Sequence, residues 1–96
     1  MSLEDMTNSV REKVSGASLN ATVKFDMGDT GVIRLIGGNP PEVDNDDAAA
    51  DCTIKVAQSD LQDILDGAQD AQTAFMMGKL QVEGDMGAAM QLAGAL

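Results

Sequence analysis

A single domain mixing helices and strands is what the sequence predicts, from its size and from two kinds of periodicity. The 96 residues match the length of one domain. Surface scaling gives roughly 5,200 Å² folded against about 14,500 Å² unfolded, so near two-thirds of the surface is buried, enough for one core. Short apolar runs at positions 21–27, 32–36, 52–56 and 80–83 read as strands, three of them alternating with polar residues at the two-residue period of a half-buried sheet. Around them, apolar residues recur at helical spacing behind Ser or Asp residues placed to cap helices.

Residues 3–15 open the chain as a helix. Ser2 caps it with Asp5 at the box position, Leu3, Met6, Val10 and Val14 share one face, and Gly16 is placed to end it. Ala21, Val23, Phe25 and Met27 then alternate with Thr22, Lys24 and Asp26, and the turn Gly28-Asp29-Thr30-Gly31 leads into Val32–Ile36 as a hairpin. After the Gly/Pro loop at 37–41, Glu42–Asp44 reads as a short edge strand. Cys52, Ile54 and Val56 alternate with Thr53 and Lys55 as another strand. Ser59 is expected to cap the next helix, with Gln62 completing the box, Leu61, Ile64 and Leu65 as its buried stripe, and Gly67 as its stop. Asp60 and Asp63 are expected in its first turn, where negative charge suits the helix dipole.

Asp70 caps a further short helix carrying Ala71, Ala74 and Phe75 on one face, with Gly78 as its stop. Leu80 and Val82 alternate with Gln81 and Glu83 in the last strand. Asp85 then caps a helix running towards Leu96. Met86, Ala89, Met90 and Ala93 form one stripe, yet Ala88, Leu92, Ala95 and Leu96 are apolar too, and no charge follows Asp85. A helix with so little wet surface is covered by its own domain or by a partner.

Composition removes most functional classes. With 44% hydrophobic and 23% charged residues the chain is globular rather than disordered. Sixteen acidic against six basic residues give a net charge of −10, the cations are scattered, and Phe25 and Phe75 are the only aromatics. Such a chain repels phosphate backbones and lacks a stacking platform, so nucleic acid is excluded, and anionic lipid surfaces are disfavoured. No apolar run reaches the length of a membrane span and no signal pattern opens the chain, so a soluble, cytoplasmic protein without stable membrane insertion is expected. The absence of histidine removes Ser-His, Cys-His and histidine-metal sites, and the lone Cys52 removes an intrachain disulfide and every two-cysteine motif. Acidic residues 44–51 fail as a calcium loop, because Ala49 and Lys55 stand where glycine and glutamate are required. Neither an enzyme nor a cofactor or metal site is expected.

One stretch is more specific. The run AFMMGKLQVEGDMGAAMQL at 74–92 resembles the signature of the sterol carrier protein family, the type-2 lipid-transfer domain: Ala-Phe, two residues, Gly-Lys-Leu, a strand, Gly, then a Met/Gly/Ala-rich helix ending in Leu. ADCTIKV at 50–56 and SDLQDILDG at 59–67 are similar to that family's preceding strand and short helix, so the resemblance covers about half of the chain. It implies an α/β (α+β) domain with a curved, mainly antiparallel five-stranded sheet covered by helices. It also implies a hydrophobic tunnel between sheet and helices that takes fatty acids, fatty acyl-CoA, sterols or other lipids. In the family the terminal helix helps close the tunnel; Met86, Met90 and Leu92 fall on it, and Phe75 and Met76 match the Ala-Phe segment.

The composition agrees with that expectation. Seven methionines are present, among them Met27, Met76, Met77, Met86 and Met90, and flexible thioethers suit surfaces that fit variable apolar shapes. The acidity offers little grip on a CoA phosphate, and no residue points to sterol. The expected function is a non-catalytic lipid-binding domain holding a fatty acid, acyl chain or similar lipid among Ile33, Leu65, Phe75, Met76, Leu80, Met86 and Met90. The alternative is an interaction module whose apolar terminal helix binds another protein or a second copy of itself.

Overall fold

A computed structural model describes residues 2–96. Helix α1 (Leu3–Lys13) is followed by strands β1 (Val23–Asp26), β2 (Val32–Ile36), β3 (Glu42–Asp44) and β4 (Cys52–Val56), helices α2 (Gln58–Leu65) and α3 (Ala71–Met76), strand β5 (Leu80–Gly84) and helix α4 (Met86–Ala95). The strands form one five-stranded sheet in the order β3-β2-β1-β4-β5. Three neighbouring pairs are antiparallel and the central pair, β1 with β4, is parallel, so the sheet is mixed. The mixed helix–strand class and the predominance of antiparallel pairs agree with expectation, as do the ranges of β2, β3 and β4.

Register sorts the side chains onto two faces. Leu35, Val23 and Cys52 line up across β2, β1 and β4, and one step along lie Ile33, Phe25, Ile54 and Val82. All but Val82 are buried. The helices cover this apolar face, α1 packing by β3 and α2, and α3 and α4 by β4 and β5. The opposite face carries Asp44, Arg34, Lys24, Thr53 and Glu83 in one row. There Arg34 donates from Nε and Nη2 to the two carboxylate oxygens of Asp44, at 2.9 and 2.6 Å. Those hydrogen bonds hold the Asp44 carboxyl below its ordinary range. Lys24 ties the 45–51 loop to the sheet through Asp47 at 2.8 Å.

Local capping explains three of the four helix starts. The amide of Asp5 donates to Ser2 Oγ at 3.1 Å while its carboxylate accepts from the Ser2 amide, closing the box that opens α1. Met6 and Val10 turn inward, and the buried Thr7 hydroxyl is satisfied by the Leu3 carbonyl and the Asn45 amide. Asp70 caps α3 by accepting from the Thr73 amide at 3.1 Å, and Gly78 ends that helix region at φ +80°, a conformation that only glycine adopts cheaply.

The start of α2 departs from expectation. Its N-cap is Ala57, which makes no side-chain cap bond, so Ser59 lies inside the first turn and the Ser59–Gln62 box does not form. Strand β4 ends at Val56 and runs straight into the helix, whose first ladder bond joins the Leu61 amide to the Ala57 carbonyl at 3.0 Å. Packing of Leu61, Ile64 and Leu65 onto the core sets this phase, overriding the local cap. Asp60 stays in the first turn and Asp63 falls beyond it.

Candidate functional site

Where α3 and α4 cross the β4–β5 end of the sheet, the apolar face is incompletely filled. The space left is a cavity of about 240 Å³. Its floor is Phe25, Ile54 and Val82, one register row on three neighbouring strands, extended by Leu80. Ile64 of α2 and Ala71, Gln72, Phe75 and Met76 of α3 form one wall. The other wall is Met86, Ala89, Met90, Leu92 and Ala93 of α4, with Leu96 beyond it. Alanine at 71, 89 and 93 is why room remains, since no longer side chain reaches in to fill it.

The start of α4 is fixed to the edge of the sheet by local anchors. Gly84 sits at φ +98°, and a Cβ added there would collide with the Asp51 carbonyl. The next amide, that of Asp85, donates to the same carbonyl at 3.0 Å. Asp85 then caps α4 by accepting from the amides of Gly87 and Ala88, at 2.9 and 3.3 Å. Along α4, Ala88 is buried away from the cavity, Ala89 and Leu92 are buried and line it, and the more exposed Met86, Met90 and Ala93 border it. The helix's nearly all-round apolarity is thereby divided between core and cavity.

The mouth is unusually apolar. Of the lining residues Phe75 is 37% exposed, Met76 84%, Met86 44% and Met90 49%, and with Met77, 62% exposed outside the lining, these are the large exposed hydrophobics among the described residues. All of them belong to α3, α4 or the residue capping α3. Among the described residues, no ionisable side chain lines the cavity. A sealed, dry void of this size would cost about 6 kcal/mol, comparable with the stability of an entire small domain. An open apolar pocket with a flexible methionine rim avoids that cost and is suited to enclosing an apolar chain. A larger groove of about 600 Å³ is lined by Asp26, Lys55, Asp60 and Lys79 among others, and those charged walls do not suit such a chain.

Of the residues singled out in the sequence, Phe75, Met76, Leu80, Met86 and Met90 are brought together around the cavity. Ile33 and Leu65 are not among its lining residues. Ile33 is fully buried on β2, beyond its partner Phe25 and therefore one strand away from the cavity. Leu65 is buried in the core, and its neighbour Ile64, a hundred-degree helical step away, lines the cavity instead. Phe25, Ile54 and Val82 were not singled out, because their common row exists only once β1 and β4 pair in parallel. Gln72, the one polar side chain of the lining among the described residues, carried no periodic signal.

Cys52 is fully buried on β4 and lies outside the cavity. Burial, and secondarily the charge of Asp85, push its thiol pKa upwards. No helix among the described residues is long and apolar enough to cross a membrane.

The same architecture occurs in known proteins. The crystal structure of sterol carrier protein 2 like 2 from Aedes aegypti superposes with a TM-score of 0.77 at 20% identity, covering 98% of this chain and 95% of that one. The solution structure of the palmitated form of that protein gives 0.77 at 22% identity, covering 98% and 93%. In sequence, sterol carrier protein 2 of Bos taurus is 44% identical over 63 residues, 66% of this chain. That match spans only 12% of the relative's length. The model of the SCP-2 sterol transfer family matches residues 2–96. With the mixed five-stranded sheet, the apolar cavity beneath its last two helices and a family match from residue 2 to residue 96, this chain belongs to the SCP-2 sterol transfer family.

Proposed function

We propose that the chain is a non-catalytic lipid carrier that holds an acyl chain or similar apolar lipid between α3, α4 and the β4–β5 end of the sheet. The observation that carries this reading is the cavity itself, about 240 Å³ and, among the described residues, apolar but for Gln72 and free of ionisable groups. Such a lining can bury a chain, at roughly 0.8 kcal/mol per methylene, and offers no acid, base or nucleophile to react with it. Family membership and the palmitate bound by the Aedes aegypti neighbour support the same reading. Phe75, Met76, Leu80, Met86 and Met90 contact the ligand, and parting of α4 from α3 lengthens the cavity into a tunnel and gates access. In this reading the carrier works in the cytoplasm.

Titration of lipid-stripped protein with an uncharged, environment-sensitive fluorescent probe, followed by displacement with unlabelled lipids, tests the proposal. The chain has no Trp or Tyr, so background emission is small. Saturable, displaceable binding is expected, and a true ligand at a hundredfold excess over its Kd stabilises the fold by about 2.7 kcal/mol. No binding and an unchanged melting temperature across a broad lipid panel refute it. Met90→Asp tests the gate: unchanged affinity removes α4 from the site.

A second reading is favoured by the exposed Met76, Met77, Met86 and Met90. In it the same rim meets a second copy of the chain. Concentration-dependent sedimentation separates the two, since a dimer that dissociates without changing lipid affinity supports the interface.

A further inference from the structure

We infer that the cavity selects lipids with an uncharged head group over fatty-acid anions, with Gln72 as the head-group contact. The inference rests on reading the cavity as a lipid site and narrows its ligand class.

Among the described residues, Gln72 is the only polar side chain of the lining. It is exposed on α3, hence at the mouth, and no hydrogen bond engages its side chain among the described residues. Its amide offers two donors and an acceptor without charge, which matches an alcohol, ester or amide head group. A carboxylate could use the donors alone and would find no counter-charge among the described residues of the lining, which include no Lys or Arg.

The helix starts beside the mouth offer no substitute. The first residues of α3 and α4, Ala71 and Met86, both line the cavity, and the residues immediately before them are Asp70 and Asp85. Asp70 accepts from the Thr73 amide and hydroxyl at 3.1 and 3.2 Å, and Asp85 from the Gly87 and Ala88 amides. The Thr73, Gly87 and Ala88 amides, which would otherwise attract an anion at a helix N-terminus, are therefore already occupied, and the carboxylate at each start repels a second anion. Lys79 precedes the lining residue Leu80 but belongs to the separate charged groove. The net charge of −10 adds repulsion at longer range. An anionic head group must stay in water beyond Gln72 and leaves part of its chain unburied, whereas a neutral one settles onto the amide.

Displacement of the uncharged probe by dodecanol and by dodecanoate, near neutral pH, tests this in the intact chain, in Gln72→Arg and in Asp29→Asn. The last two make the same change in net charge, one at the mouth and one on an exposed turn away from it. Dodecanol is expected to bind at least about tenfold more tightly than dodecanoate in the unmodified chain. Gln72→Arg should shift the acid-to-alcohol affinity ratio towards the acid by about tenfold, the effect of one charge-assisted contact. Asp29→Asn should leave that ratio unchanged. Dodecanoate binding as tightly as dodecanol, an unmoved ratio in Gln72→Arg, or an equal shift in Asp29→Asn overturns the inference while leaving lipid binding intact. Failure of both competitors to displace the probe overturns the lipid-site reading and this inference with it.

Discussion

Filling the cavity should stabilise the empty protein and weaken its hold on lipid at the same time. Ala93 is the position to use. It is half-buried on α4, borders the cavity and packs against the core. Leucine has nearly the helix propensity of alanine, so Ala93→Leu changes little besides occupied volume. It adds three carbons, each worth about 0.8 kcal/mol when fully buried, which sets a ceiling of about 2.4 kcal/mol. Partial exposure at this position lowers the expected gain to about 1–2 kcal/mol. In a domain of this size each kcal/mol moves Tm by about 4–8 °C, so thermal unfolding of the lipid-free variant followed by circular dichroism should rise by roughly 4–16 °C. A lipid that loses the space of two or three methylenes loses about 1.6–2.4 kcal/mol of burial, a tenfold or greater weakening of probe affinity. A lowered Tm together with unchanged affinity would refute the reasoning, showing that the space beside Ala93 is neither dry nor used by ligand.

Other consequences of the geometry are equally direct. Gly84→Ala combines a left-handed backbone with a collision against the Asp51 carbonyl; it should cost more than about 2 kcal/mol and loosen α4, visible as a large fall in Tm. Asp44→Asn should destabilise the fold at neutral pH by removing the paired contact to Arg34. Because the folded-state pKa of Asp44 lies below its unfolded value, that contribution is present above the unfolded pKa and disappears as pH falls through the folded one. The gap in denaturation midpoint between the two proteins should therefore close on acidification, and a gap independent of pH would exclude the ion pair as its source. Cys52, buried and with its thiol pKa raised, should react with a thiol reagent far more slowly than a free cysteine. Bound lipid should slow it further by holding α4 on β4, and a rate indifferent to lipid would show that opening of this region is uncoupled from the site.

How much was legible in the sequence follows from the range of each interaction. The boxes and caps at Ser2, Asp70 and Asp85 act over two or three residues, so the starts of α1, α3 and α4 could be read directly. The alternation of Cys52, Ile54 and Val56 likewise records the pleat of a single strand. Ser59 misled because the phase of α2 is dictated by burying Leu61, Ile64 and Leu65, a demand from outside the helix. Met86 and Met90 stood out on a terminal helix apolar almost all round, whereas Phe75 and Met76 were marked by the family resemblance at 74–92.

What the sequence alone determined was the type and order of the elements, the caps of α1, α3 and α4, the acidic balance and the family signature at 74–92. Only the tertiary structure decided which apolar residues fill the core and which are left around a void. Ile33 and Ile54 are alike in type and both sit on the apolar face of the sheet, each paired with Phe25 from opposite sides. The parallel pairing of β1 with β4 brings Ile54 under α3 and α4, and the antiparallel pairing with β2 carries Ile33 away from them. A cavity is the volume that distant segments fail to fill between them, and no periodicity within one segment encodes it.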